Sequence, residues 1–261
     1  MTGTMLAEKR GAVGWMTFSN PDKRNAMSLE MWAQVTSILD DFAADDAIRA
    51  VVIRGAGEKA FVSGADISQF DANRGNAEAA ANYAATTDTG RASLIAFPKP
   101  MIAMIRGYCL GGGLGIAMVA DLRFASEDAS FGIPAANLGQ SYSADNLRRL
   151  VTLVGPAVAK DMLFSARRLD AGEALRVGLI SRVFAPDALE QEVERYAALL
   201  AEKAPLSQRA SKAIVNELCK PESEQDAAMM RAHVARCFDS EDYAEGRRAF
   251  AEKRKPVFRG R

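Results

Sequence analysis

Two short apolar runs constrain the fold most. Ala50–Arg54 reads AVVIR and Met101–Ile105 reads MIAMI. Neither alternates with polar residues, so each predicts a strand covered on both faces, as in a parallel sheet with elements packed above and below. Parallel neighbours need a crossover connection, usually helical, and the intervening sequence supplies one: Ala77–Phe97 is alanine-rich and helical, and Pro98 and Pro100 stop it. The same alternation extends both ways. Ala12–Phe18 reads as a strand ending at the turn Asn20-Pro21-Asp22. Ser28 predicts an N-cap, with Glu30 in the first turn and Met31, Val35, Ile38 and Phe42 on one helical face. Leu122–Ala125 and Ser130-Phe131 read as further short strands. Beyond about Val183 only helical patterns follow, the first opened by a capping box of Asp187 and Glu190 and carrying Leu189, Val193, Tyr196 and Leu200. The expectation is an α/β core with a helical C-terminal section. Lys203-Ala204-Pro205 marks the break, giving units 1–203 and 204–261.

Composition removes several function classes. With 33 basic and 33 acidic residues there is no global field to hold nucleic acid. No run of roughly 18 uncharged apolar residues predicts a membrane span, and the first residues lack the basic and apolar regions of a secretory leader. Three cysteines make no disulfide framework, so a reducing, cytoplasmic location is expected. The single histidine, His233, lies in a helical stretch and reads as structural. A triad hydrolase would have to use it. A multi-histidine metal site is impossible, no C-x-x-C occurs, and no metal is expected. The signatures G-x-S-x-G, G-x-x-x-x-G-K-[ST] and G-x-G-x-x-G are all absent.

Two segments carry chemistry. In Phe61-Val62-Ser63-Gly64-Ala65-Asp66-Ile67 an apolar strand enters a turn where Gly64 admits conformations closed to other residues, and Asp66 stands at an expected helix start. In Gly107–Gly115, consecutive glycines at a strand-to-helix junction let a ligand approach the backbone, with the positive end of the following helix aimed at it. Two N–H groups converging on one oxygen form an oxyanion hole, worth about 3–4 kcal/mol per donor. The turns lie about 47 residues apart, each after an apolar strand.

Over nearly its whole length the chain resembles the crotonase (enoyl-CoA hydratase/isomerase) superfamily. The residues that carry the likeness are N-P-x-x-R-N-A-M-S, F-V-S-G-A-D-I, P-K-P-M-I-A-M-I-R-G-Y-C-L-G-G-G, D-L-R-F-A-S, F-G-I-P-A and A-F-A-E-K-R-K-P-V-F. The resemblance implies a spiral of ββα units with a C-terminal helical trimerisation region. It also implies a homotrimer or dimer of trimers, and an acyl-CoA thioester as substrate, the CoA being part of the substrate and no further cofactor being needed. It assigns the oxyanion hole to the N–H groups of Ala65 and Gly112. The substrate-binding positions it implies are Lys23, Arg24 and Ala26 near the CoA phosphates, Ser63, Gly64, Asp66 and Ile67 around the adenine, Gly111, Pro134 and Ala135 by the acyl group, and Phe250 and Lys253, which in the family commonly reach CoA from a neighbouring subunit.

The chain also departs from the pattern. Hydratases of this family carry one glutamate three residues after the central glycine, here Gly115, and another after the proline of F-G-x-P, here Ala135. Hydration of a 2-enoyl thioester needs a base for water and a proton for the α-carbon. Some relatives place a catalytic aspartate where this chain has Ser143, and Asp145 lies two residues on; Tyr142 and Ser143 are the other candidates. Three readings stay open: a lyase or isomerase acting through a thioester enolate, an Asp-assisted hydrolase, dehalogenase or decarboxylase, and a non-catalytic acyl-CoA-binding oligomer.

Overall fold

A computed structural model describes residues 3–66 and 76–261. Three successive strand–strand–helix units organise it: β3 (Ala50–Gly55), β4 (Ala60–Val62) and α2 (Ala77–Ala96); β5 (Met101–Ile105), β6 (Tyr108–Leu110) and α3 (Gly112–Ala117); β7 (Leu122–Ser126), β8 (Ser130–Gly132) and α4 (Ala144–Ser165). Each unit sends its first strand to one sheet and its second to another. The larger sheet runs β1 (Thr4–Arg10), β2 (Val13–Ser19), β3, β5, β7, β10 (Arg182–Phe184); the smaller runs β4, β6, β8, β9 (Arg168–Asp170). β1–β2 and β8–β9 are antiparallel and the other pairs parallel.

The unbroken apolar runs are explained by two cores, one on each face of the larger sheet. Val51, Ile53, Met101, Ala103 and Ile105 enter the core that includes residues of α1 (Leu29–Ala44), α3 and α4. Val52, Ile102 and Met104 point the other way, to Trp15, Phe124 and the Leu189, Val193 and Ala197 face of α6 (Leu189–Ala201). Successive side chains alternate between the faces, so both must be apolar. α1 starts as expected, Ser28 accepting from the Met31 N–H. Lys99, almost wholly buried, closes its other end by donating to the carbonyls of Phe42 and Asp45 at 2.6 and 2.8 Å.

One strand goes unannounced by the sequence, and one local expectation needs correction. Thr4–Arg10 forms a strand that the pattern does not announce, because this edge strand is mostly exposed and buries only Met5. The Asp187 capping box does not form. α6 is entered through a turn in which Ala188 and Leu189 donate to the Ala185 carbonyl, with Ala188 as a cap lacking a side-chain bond. Glu190 instead pairs with Arg54 at 2.7 Å and Arg10 at 3.3 Å, both guanidiniums stacking on Trp15. Two strong cations over an indole hold that carboxylate more firmly than a local backbone N–H does.

After α6, three helices follow: α7 (Pro205–Leu218), α8 (Ala227–Phe238) and α9 (Glu241–Ala251), with α5 (Ala171–Arg176) lying earlier, between β9 and β10. α8 buries none of its residues. No described helix is long and apolar enough to cross a membrane.

Candidate active site

Strand pairing builds the site. β4 and β6 are parallel neighbours in the smaller sheet, so the turns that follow them lie side by side although about 47 residues separate them in the chain. A Cβ on Gly64 would lie 3.7 Å from the Leu110 carbonyl oxygen and 3.9 Å from the Gly112 nitrogen. Gly64 has φ +120°, and Gly111, which caps α3, has φ +56°. Both values favour glycine.

The three consecutive glycines serve three purposes. Gly111 turns the backbone. Gly113 gives passage, since a Cβ there would stand 2.0 Å from the Val62 carbonyl oxygen. Gly112 is required for neither reason: its φ is ordinary, and a Cβ would meet nothing closer than Gly64 at 3.9 Å. Among the described residues, neither the Gly112 nor the Ala65 N–H donates a hydrogen bond. Ala65 lies in a parallel bridge with Met27 that uses the Met27 and Asp66 N–H groups, so its own N–H points away from that bridge.

The Lys23–Met27 segment is fastened to the first turn. Ser63 N–H donates to the Arg24 carbonyl, Met27 N–H to Gly64 and Asp66 N–H to Met27. Lys23 Nζ stands 2.8 Å from Asp66 Oδ2, a carboxylate with only 5% of its side chain exposed, and the Ser63 hydroxyl donates to the Lys23 carbonyl. Ala26 is buried beneath. Asn25, which the residue pattern does not single out, holds the arrangement. Its carboxamide donates to the Ala56 and Ala60 carbonyls at 2.9 and 2.7 Å and accepts from Asn20 N–H at 3.0 Å. Arg24 stacks over the Tyr108 ring at 4.9 Å, and Arg168 approaches the same ring at 5.4 Å. Ile67 lies outside the described residues, as does the helix expected to start at Asp66.

On the acyl side, Tyr142 joins the second turn: its hydroxyl would lie 3.3 Å from a Cβ on Gly111. Burial pushes its phenol up to about 12, Arg91 opposing weakly. At neutral pH it is therefore a proton donor and not a base. Pro134 opens a short 3-10 turn, Pro134–Leu138, in which Ala135 is buried. Ser143 is the N-cap of α4 without a side-chain bond. Asp145 is exposed in the first turn of α4 and lines a cleft of about 910 Å³ with Asp121, Arg148 and Arg149. The side chain that stands against Gly115 is the next one, Asn146. No sequence motif marks it.

Phe250 and Lys253 are not brought to the turns within one chain. Phe250 is 88% exposed on α9 and lines a cavity of about 540 Å³ with Leu206, Phe238, Tyr243 and Phe258. Lys253 follows α9 with φ +54°. His233, on α8, lines a separate cavity with Phe97 and Arg209. Cys109 is buried, which pushes its thiol well above the ordinary range and leaves it unreactive. Among the described residues no group of three His, Cys, Asp or Glu side chains stands ready for a metal.

The enoyl-CoA hydratase/isomerase family model matches residues 8–261, which includes both turns. The chain belongs to this family. Its short-chain-enoyl-CoA hydratase relative from Clostridium acetobutylicum is 33% identical over 251 residues, 96% of this chain and 95% of the relative. A carnitinyl-CoA dehydratase from Citrobacter koseri is 33% identical over the full length of both. The crystal structure of an enoyl-CoA hydratase/carnithine racemase from Magnetospirillum magneticum superposes with a TM-score of 0.93 at 36% identity, covering 100% of this chain and 97% of that one. This family member therefore shares the α/β architecture of its relatives throughout its described residues, and it is an acyl-CoA enzyme of that family.

Proposed function

We propose that the protein is an acyl-CoA lyase or isomerase that holds the thioester oxygen between the N–H groups of Ala65 and Gly112 and stabilises the enolate formed on the α-carbon. The observation that carries this reading is the meeting of the two turns, each with a free N–H among the described residues, at the ends of paired parallel strands. Such donors are fixed by the fold and need no reorganisation as charge develops on the oxygen. Lys23, Arg24 and Arg168 gather positive charge on one side, suited to the CoA phosphates. Ser63, Gly64 and Asp66 line the adenine side, and Gly111, Pro134 and Ala135 the acyl side.

The family's two glutamates map onto Gly115 and Ala135, so a carboxylate pair does not activate water. Tyr142, protonated and beside Gly111, is the proton donor of this reading. Asp145, which flanks Asn146 on α4, is the carboxylate candidate, with Ser143 beside it. An Asp-assisted hydrolase, dehalogenase or decarboxylase is the second reading; the cleft that Asp145 lines includes no residue of either turn, which counts against it. Assembly as a trimer or dimer of trimers is supported by the unburied α8 and the exposed Phe238 and Phe250. It would also let Phe250 and Lys253 serve a neighbouring chain's CoA.

The test is a panel of acyl-CoA thioesters incubated with the enzyme and followed by mass spectrometry. Double-bond migration or elimination with the thioester intact supports the enolate reading. Release of free CoA, or loss of halide or carbon dioxide from an intact thioester, supports the second, and binding without turnover would overturn both.

A further inference from the structure

The cavity that holds His233 collects basic side chains and no acidic ones. Arg209 and Lys212 reach it from α7, His233 and Arg236 from α8, and no Asp or Glu lines its space of about 310 Å³. Lys212 is neutralised, standing 2.9 Å from Asp121. Arg209 is not. Its one ion pair among the described residues is long, 3.9 Å to Asp46, whose side chain is 88% exposed. Its Nε is buried and finds no hydrogen-bond acceptor. A guanidinium N–H shut away from water without an acceptor carries a desolvation cost that a bound anion removes. The side chains of His233 and Arg236 likewise have no polar partner among the described residues. Burial first, and then the charge of Arg209, push the Lys99 ammonium down to about 8, as uncompensated positive charge does. Ile95, Phe97 and Leu206 make the rest of the lining apolar. α8 itself buries no residue, so apolar packing does little to hold it.

We propose that this cavity is a second binding site, for a small carboxylate with a short hydrocarbon body. The carboxylate is held by Arg209 of α7 and by His233 and Arg236 of α8, and the hydrocarbon lies on Ile95, Phe97 and Leu206. A guanidinium matches a carboxylate with two parallel N–H donors. A purely inorganic anion would use the same cations but leave the apolar lining without a partner. No residue of either glycine-rich turn lines the cavity, so the site stands apart from the acyl-CoA reading above. A carboxylate bound there bridges α7 and α8 and docks α8, the helix that leads into α9.

Calorimetry and hydrogen exchange of the full-length protein in sodium butyrate test this, with sodium chloride and sodium phosphate at matched ionic strength as comparisons. Opening of α8 breaks the site, so butyrate at about ten times its dissociation constant should slow exchange of the α8 amides roughly tenfold. Arg209→Met should weaken butyrate binding roughly tenfold or more, the range of one hydrogen bond to a charged group. Arg236→Met should do the same, and its exposed position keeps the test open should the Arg209 variant fail to fold. Phosphate binding as tightly as butyrate would overturn the carboxylate class. Absence of butyrate binding, binding that leaves α8 exchange unchanged, or binding that survives these substitutions would overturn the site.

Discussion

Gly112→Val separates the chemistry of the two turns from their packing. A Cβ at 112 has ordinary φ and its nearest neighbour, Gly64 Cα, at 3.9 Å, so the variant should fold with stability within about 1 kcal/mol of wild type. Its γ-methyls project into the space between the turns, where the thioester oxygen is to sit. Turnover should then fall by at least the roughly 10²–10³-fold that loss of one oxyanion donor costs. Gly113→Ala provides the contrast. Its methyl would lie 2.0 Å from the Val62 carbonyl oxygen and 2.6 Å from the carbonyl carbon. Backbone cannot swing aside as a flexible side chain can, so α3 must lift from β4. The expected cost is about 1–3 kcal/mol or more, with a melting temperature lower by roughly 2–4 °C per kcal/mol for a chain of this size class. Thermal denaturation followed by circular dichroism reads the first quantity, and single-turnover mass spectrometry of acyl-CoA the second. If Gly112→Val turns over acyl-CoA as wild type does, the oxyanion assignment is wrong. If Gly113→Ala melts with wild type, the division of roles among these glycines is wrong.

Crotonyl-CoA hydration should be slower than in a two-glutamate hydratase by at least the roughly 10²–10⁴-fold that one positioned acid or base supplies, and under the Asp-assisted reading Asp145→Asn should abolish turnover while CoA binding persists; ordinary hydration rates unaffected by that change would refute this account of the acyl side. Asn25→Ala leaves the Ala56 and Ala60 carbonyls without their donor and should destabilise by about 1–3 kcal/mol per unpaired group, with weakened CoA affinity, both readable by urea denaturation and calorimetry. Burial, with Arg209 nearby, lowers the Lys99 ammonium from 10.5 to about 8. Between those pH values the unfolded chain holds more of that proton than the folded one, so this group's contribution to stability rises with pH across the window and is lost as pH falls through about 8; urea midpoints of wild type against Lys99→Met should diverge there, and parallel curves would exclude the effect. Sedimentation equilibrium at micromolar concentration should give the mass of three or six chains and not 28.1 kDa.

The sequence by itself determined the α/β alternation, because a strand covered on both faces cannot hide its apolar content: AVVIR and MIAMI are continuous since the larger sheet separates two cores. It also determined both glycine-rich turns, since left-handed φ at Gly64 and Gly111 and close passage at Gly113 leave little choice of residue. The edge strand Thr4–Arg10 was hidden because a mostly exposed edge imposes little pattern. The capping box at Asp187 misled because capping is a local rule, and the distant Arg10–Trp15–Arg54 cluster claimed Glu190 instead. Only the tertiary structure decided that Asn25 pins the Lys23–Met27 segment and that Asn146, not Asp145, stands against Gly115. Both are contacts between residues far apart in the chain, made by side chains whose type carries no periodicity. What decides them is how elements distant in the chain, β4 and β6 among them, are brought together, and that is not written in any one stretch of residues.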